Sequence, residues 1–425
     1  MLNWVATSYL LGTGVCLLPI GRISDIYGRK RIFIIGLVSF TITTGLLSLT
    51  PDAVTLITLR FFQGVSCSML AGPSMAIITS VFPPHERGRA LGINIAAIYL
   101  GLSMGPLIGG MLTGYLGWRS IFFITAPVGA ILVCLTIASL KGEWADARGE
   151  DLDYFGSIVY GLTLVALIYG LSIMPTPSGL WLVCGSAAGF VIFVKWEQKT
   201  KHPVLDINLF STNRLFVLSN LAAMIHYCAS FALIFLLSLY LQYIKGLSPE
   251  EAGFTMMVYP VLMTILTPSA GRLSDRVEPR LLVSGGMSLT SLGIFGLIFL
   301  NEDTSLAAVV GILVVMGIGY ALFSSPNSNA VMSSVEKRYY GVASGVLSTM
   351  RLSGQMISMA TVLLLFSLYI GDEPIAVHTY PAFMKSMHTT FIIFSLLCVI
   401  GVFISLCRGE IHRDNRAVEL PEEMH

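Results

Sequence analysis

Charge is scarce in this sequence: Asp, Glu, Lys and Arg make up 12% of its 425 residues, where soluble domains carry about 25%. An ordinary water-soluble fold is therefore excluded. The formal net charge of +1 offers no basic field for a nucleic acid. Most of the seven cysteines fall inside apolar runs and none has metal-ligand spacing, so neither a metal site nor a disulfide framework is expected. The pattern G-x-x-x-x-G-K-[ST] is absent, which argues against ATP as an energy source, and no cofactor is expected. No carboxylate or nucleophile cluster suggests an enzyme. Alternating apolar–polar stretches are missing too, which excludes a membrane β-barrel.

What fills the chain is apolar residue, 55% of the total. Runs long enough to cross about 30 Å of hydrocarbon as helices fall at 1–20, 32–49, 54–81, 89–112, 119–140, 153–174, 180–196, 214–243, 250–270, 280–300, 305–332, 340–366 and 386–407. They predict an all-α membrane protein with about thirteen transmembrane helices. Met1–Ile20 lacks a basic n-region and a cleavage site and reads as a span, not as a secretory signal. Twenty of the 25 basic residues lie in alternate connections or in the tail, from Arg22, Arg29, Lys30 and Arg31 to Arg408, Arg413 and Arg416. That asymmetry places them, and the C-terminus, in the cytoplasm. The acidic stretch 141–153 (Glu143, Asp146, Glu150, Asp151, Asp153) reads as a solvated loop.

Two polar connections share a sequence. Gly271-Arg-Leu-Ser-Asp-Arg276 repeats Gly21-Arg-Ile-Ser-Asp-Ile26 at an offset of 250, and at 253 Gly64 pairs with Gly317, Pro73 with Pro326, Gly88 with Gly341 and Gly92 with Gly345. The chain is thus built of two homologous halves: a bundle at 1–140, a central segment at 141–213 with two further helices, a second bundle at 214–407 and a tail at 408–425. In the stretch from Gly21 to Arg31, read as a short basic loop, Gly28 suits a tight turn. Asp25 is placed to meet a helix N-terminus or an arginine.

The spacing G-x-x-x-D-x-x-G-R-K-R resembles the signature loop between the second and third helices of major facilitator superfamily transporters. Leu59-Arg60-Phe-Phe-Gln63-Gly64 resembles the family's arginine motif, linked there to proton transfer. Gly101-Leu-Ser-Met-Gly-Pro-Leu-Ile-Gly-Gly110, with Gly105, Pro106 and Gly109, resembles the antiporter motif of drug exporters. Gly117-Trp-Arg119 with Pro127 adds to the resemblance, and the stretch His202–Phe210 and the extra helix pair point to the fourteen-helix drug:proton antiporter branch. The resemblance implies two bundles rocking around a mid-membrane site and proton-coupled efflux of drug-like or metabolite molecules. On it, Gly21, Asp25, Gly28, Arg29, Gly271 and Asp275 gate the cytoplasmic side, and Arg60 with Gln63 couples protons. The implied partners are a small-molecule substrate, protons and the lipid bilayer of the cell membrane, with no nucleic acid and a monomeric state.

An arginine inside an apolar run is costly unless it meets a partner or a cavity. Arg60 and Arg351 are both such residues, and Arg351 reads equally as an anion binder or an anchor. Asn94, His226, Tyr320, Asn327 and Gln355 are further cavity candidates, with Tyr240 and Tyr259 compatible with an apolar chamber; helix-to-helix packing explains each as well. Two rival readings stand beside efflux: carriage of a sugar, peptide or siderophore, and a transport-dead membrane sensor or scaffold. Finally, two runs precede the motif at Gly271 but one precedes it at Gly21, so the repeat predicts a further helix upstream of Met1.

Overall fold

The computed structural model describes residues 2–174, 176–371, 373 and 375–409. The tail beyond 409 and the side chain of Pro106 lie outside the described residues. Fourteen α-helices follow one another: α1 (Leu2–Tyr27), α2 (Arg29–Leu47), α3 (Ala53–Val81), α4 (Arg87–Leu116), α5 (Arg119–Ser139), α6 (Tyr154–Ser172), α7 (Pro177–Glu197), α8 (Asn208–Thr212), α9 (Arg214–Leu239), α10 (Pro249–Ser274), α11 (Pro279–Leu297), α12 (Leu306–Ser333), α13 (Tyr340–Tyr369) and α14 (Tyr380–Leu406). All but the short α8 are long and apolar enough to cross a membrane, which gives thirteen spans among the described residues.

Local chemistry sets many of the helix starts. Asp52, Asp153, Thr176, Asn213 and Ser305 each accept a backbone N–H of the first turn, and Ser248 forms a reciprocal capping box with Glu251. The bonds from Thr55 hold the Asp52 carboxyl below the usual carboxylate range. Proline opens α7, α10, α11 and α14, where no intrahelical donor is lost.

Within the first half α3 packs on α1 and α2, and within the second α12 packs on α10 and α11. The halves meet crosswise, α1 on α13 and α10 on α4, while α6 pairs with α7 and rests on α1 and α13. The second half is the better covered. There α9 lies against both α13 and α14; among the described residues of the first half no helix holds the equivalent place, and α5 has no buried residue.

Two expectations fail at the shared motif. The stretch 21–31 is not a loop: α1 continues to Tyr27 and α2 begins at Arg29, so the connection is Gly28 alone, at φ 114°. Its copy at Gly271 is also helical, inside α10. Hydropathy marks these positions as polar, but Arg22, Ser24, Asp25 and Arg29 are buried and bonded to protein, while Arg31, Arg272 and Arg276 stay exposed. The acidic stretch 141–153 is a largely exposed loop as expected, but Glu143, Asp146 and Glu150 within it bond to the same motif.

Candidate functional site

The interface between the halves closes at one end through two related locks. Asp25, fully buried on α1, accepts the backbone N–H groups of Gly341 and Val342 at 2.9 and 3.0 Å, at the start of α13. Asp275, after α10, accepts those of Gly88 and Arg89 at 2.7 and 2.9 Å, at the start of α4. Each carboxylate thus caps a helix of the opposite half, where free N–H groups and the helix dipole favour negative charge. Glycines allow the approach. A Cβ on Gly21 would stand 2.5 Å from the Gly341 carbonyl oxygen, and Gly271 is pressed in the same way on Gly88. One turn further along, Gly345 faces Leu17 and Gly92 faces Thr267, where an added Cβ would stand 2.8 Å from the carbonyl oxygen in each case.

The locks differ in their surroundings. Arg29, fully buried, donates to Asp25 at 2.8 and 2.6 Å, to Ser80 and Asp146 at 2.9 Å, and to the Lys337 carbonyl at 2.5 Å. It is therefore a bridge among both halves and the linker, not a solvent-facing topology charge. The linker supplies the other acids. Glu143 accepts from the N–H groups of Lys30 and Arg31 at 2.9 and 3.1 Å, and Glu150 pairs with buried Arg22. Gly28 leaves the space for Glu143, since a Cβ there would fall 2.5 Å from the carboxyl carbon. Around Asp275 the equivalent of Arg29 is Pro279. Asn329 donates there to Ser274 and Asp275 at 3.1 and 3.4 Å, and a groove of about 590 Å³ opens beside His85, Arg89 and Arg272.

Away from the locked end, Arg60 on α3 donates to the Val5 carbonyl at 3.3 Å and to Gln63 at 2.7 Å. Its guanidinium lies 5.0 Å from the Tyr9 ring centre and 5.8 Å from that of Phe122. Gln63 passes the contact on to Thr44 of α2 at 2.7 Å. On α4, a Cβ added at Gly101, Gly105 or Gly110 would meet nothing within 4 Å among the described residues and at Gly109 only Ile121 at 3.8 Å, whereas Gly354, which corresponds to Gly101, is pressed on the Met224 carbonyl of α9.

Of the cavity candidates, the structure brings His226, Tyr320 and Arg351 together. They share a cluster between the halves with Tyr99 of α4, Tyr227 of α9, Tyr259 of α10 and Ser324 and Ser328 of α12. His226 is fully buried and stacked on Phe323 at 3.8 Å. Asn94 and Gln355 are half-buried. Tyr240 is elsewhere, donating to the Asn301 carbonyl at 2.7 Å. Asn327 belongs to a different set: it donates to the Ser219 carbonyl at 3.1 Å and accepts from Arg408 at 3.0 Å. Arg408 is buried, and burial pulls its guanidinium down to about 9, against the support of Glu278. No group of residues suited to a metal occurs among the described residues.

Sequence reasoning passed over the linker acids, Arg408, Tyr99 and Tyr227. The acids had a visible signal, since a run of carboxylates and a run of basic residues flank helices at the same membrane face. The tyrosines had none, because they lie on separate helices.

Comparison with known proteins places this geometry. The family model described as Major Facilitator Superfamily matches residues 1–359 and, overlapping, 219–420. The riboflavin transporter RibZ of Clostridioides difficile (strain 630) is 30% identical over 410 residues, covering 95% of this chain and 88% of that protein. The multidrug resistance protein Stp of Mycobacterium tuberculosis (strain CDC 1551 / Oshkosh) is 30% identical over 369 residues, 84% of this chain and 67% of that one. The tetracenomycin C resistance and export protein of Streptomyces glaucescens is 24% identical over 377 residues, 87% and 70% of the two chains. Among solved structures, the human organic anion transporter MFSD10 (TETRAN) superposes with a TM-score of 0.69 at 16% identity, over 95% of this chain and 83% of that one.

Proposed function

The chain belongs to the Major Facilitator Superfamily, and from that premise we propose that it exports drug-like or metabolite molecules across the cell membrane in exchange for protons. As a member it is a multi-pass secondary transporter and not an enzyme. The observation that carries the exchange reading is the doubled lock: Asp25 and Asp275 each hold a helix of the opposite half at one end of the interface. Alternating access needs such an end to close and to open, and a carboxylate on a helix N-terminus can be released without disturbing either bundle. The locked end is assigned to the cytoplasm, on the weight of its basic residues. Gly21, Gly28, Arg29 and Gly271 serve the gate, Arg60 and Gln63 couple the proton, and the glycine face of α4 is the antiporter motif. The working unit is a monomer.

Relatives named for multidrug resistance and for tetracenomycin export favour efflux, and one named for riboflavin supports carriage of a single metabolite as a second reading. Purified protein in proteoliposomes tests both. With an imposed pH gradient, a panel of fluorescent drugs is expected to move against its own gradient, and riboflavin is run beside them. Ligand binding without flux of any kind would sink the transporter reading in favour of a sensor.

A further inference from the structure

The aromatic cluster between the halves holds a cation and no anion. No Asp or Glu occurs within α4, α9, α12 or α13, and the acids of α10, Glu250 and Glu251, sit in its first turn. Arg351 lies roughly 16 Å along α13 from Tyr340, at 1.5 Å per residue. It donates to the Ser328 hydroxyl at 2.6 Å and stands 5.5 Å from the Tyr227 ring centre. Its Nε is buried with no partner among the described residues. A guanidinium has five donors in a flat fork; one hydroxyl and one ring face leave most of that fork unused, in a place where a charge is costly.

The walls around it are aromatic. Tyr320 is the hub, edge-to-face with Tyr99, Tyr227 and Tyr259 at 5.5, 5.7 and 5.9 Å. The Tyr99 hydroxyl lies 3.4 Å from those of Tyr227 and Ser324. We propose that this cluster is the substrate site and that it takes an aromatic organic anion. The carboxylate of such a ligand occupies the open fork of Arg351 in a bidentate pair. Its ring system lies on the tyrosine faces. Tyr99 belongs to the first half and the other groups to the second, so one ligand contacts both bundles. The inference rests on the transport reading, since it assigns that reading a substrate class. Its competitor is an Arg351 that merely ties α13 to Ser328 of α12.

The probes are 2-naphthoate and its neutral amide, 2-naphthamide, titrated calorimetrically into the full chain in lipid nanodiscs. The naphthoate is expected to bind about tenfold more tightly or better, the weight of a charge-assisted pair. Arg351→Gln is expected to erase that preference and leave the amide affinity in place, while Arg351→Lys keeps part of it. Equal affinities in the unsubstituted protein, no naphthoate binding at all, or an undiminished preference in Arg351→Gln overturns the proposal. The first two need no variant to fold. Proton-linked export of neutral or cationic drugs without naphthoate preference sinks the anion site and leaves the transport reading standing. Naphthoate preference without flux of any substrate does the reverse.

Discussion

Asp25 and Gly341 define each other: the carboxylate accepts the Gly341 N–H at 2.9 Å, and a Cβ on Gly341 would stand 2.7 Å from the same Oδ1. Asp275 and Gly88 repeat the relationship, with a bond of 2.7 Å and a Cβ position 2.6 Å from Oδ1. Asp25→Asn keeps the shape, weakens both caps and leaves Arg29 with Asp146 as its carboxylate partner. Breaking a buried charge pair costs about 3–5 kcal/mol. Transport is expected to fall at least tenfold at unchanged membrane insertion, with spin-label distances across this end widening. Normal transport by well-inserted Asp25→Asn protein would refute the gate assignment.

Gly21→Val tests the approach of the helices separately from the charge. Inside a helix, glycine is a poorer former than valine by only a few tenths of a kcal/mol, so the substitution does not weaken α1 itself while its Cβ collides with the Gly341 carbonyl. Loss of transport with the chain still inserted is the expected result. Gly45→Ala is the control, since its Cβ would meet only Ala126 at an ordinary 3.8 Å. If both variants transport equally, close packing at Gly21 plays no part in closure.

Arg60 stands on neutral partners: a carbonyl, an amide and an aromatic face. Arg60→Ala is expected to abolish flux driven by a pH gradient. Arg60→Lys retains a fraction, because an ammonium keeps the charge but not the planar fork. Gln63→Leu, which cuts the link to Thr44, should weaken the pH dependence without abolishing flux. An alanine variant with unchanged rate and pH dependence would reduce Arg60 to an anchor.

The thirteen spans and the two halves are legible in the sequence because membrane helices are long continuous apolar runs and because the Gly-x-x-x-Asp spacing recurs. The ends of those helices are not. Gly21, Arg22 and Asp25 look like loop residues, yet the partners that bury Arg22 and Asp25 lie more than a hundred residues away in Glu150 and Gly341. A one-dimensional profile cannot distinguish a charge neutralised by protein from one facing water. Tyr99 and Tyr227 escape for a related reason: aromatic residues are frequent in every span, and only the crossing of α4 with the second half singles these two out.

The acidic linker gives a prediction about stability. Glu143 caps α2 and Glu150 pairs with Arg22, so Glu143→Gln should cost about 1 kcal/mol, the weight of a helix cap. Glu150→Gln leaves the buried Arg22 guanidinium without its carboxylate and should cost more. Thermal unfolding in detergent at low and high salt measures both. A Glu150→Gln variant as stable as the parent would show that Arg22 does not depend on Glu150.

Gly101 and Gly354 occupy equivalent places in the two halves but unequal surroundings. Gly354 is pressed on the Met224 carbonyl, and further along α13 the Ser358 hydroxyl accepts from the Ala232 N–H, so α9 fits closely against this face. On the corresponding face of α4, a Cβ added at Gly101 or Gly105 would meet nothing within 4 Å among the described residues. Two helices of like sequence should bury like faces, since small residues earn their place in lipid by close contact with a neighbour. Gly354→Ala is therefore expected to destabilise the 425-residue chain, by about 1–3 kcal/mol as overpacking does. Gly101→Ala should be neutral or slightly stabilising, through helix propensity alone. Thermal stability of the two variants in lipid nanodiscs decides the matter. A penalty confined to Gly354 is the expected result, since only there would the added methyl meet a neighbouring backbone. Equal penalties would show that the two glycine faces are packed alike and would refute the unequal surroundings of Gly101 and Gly354.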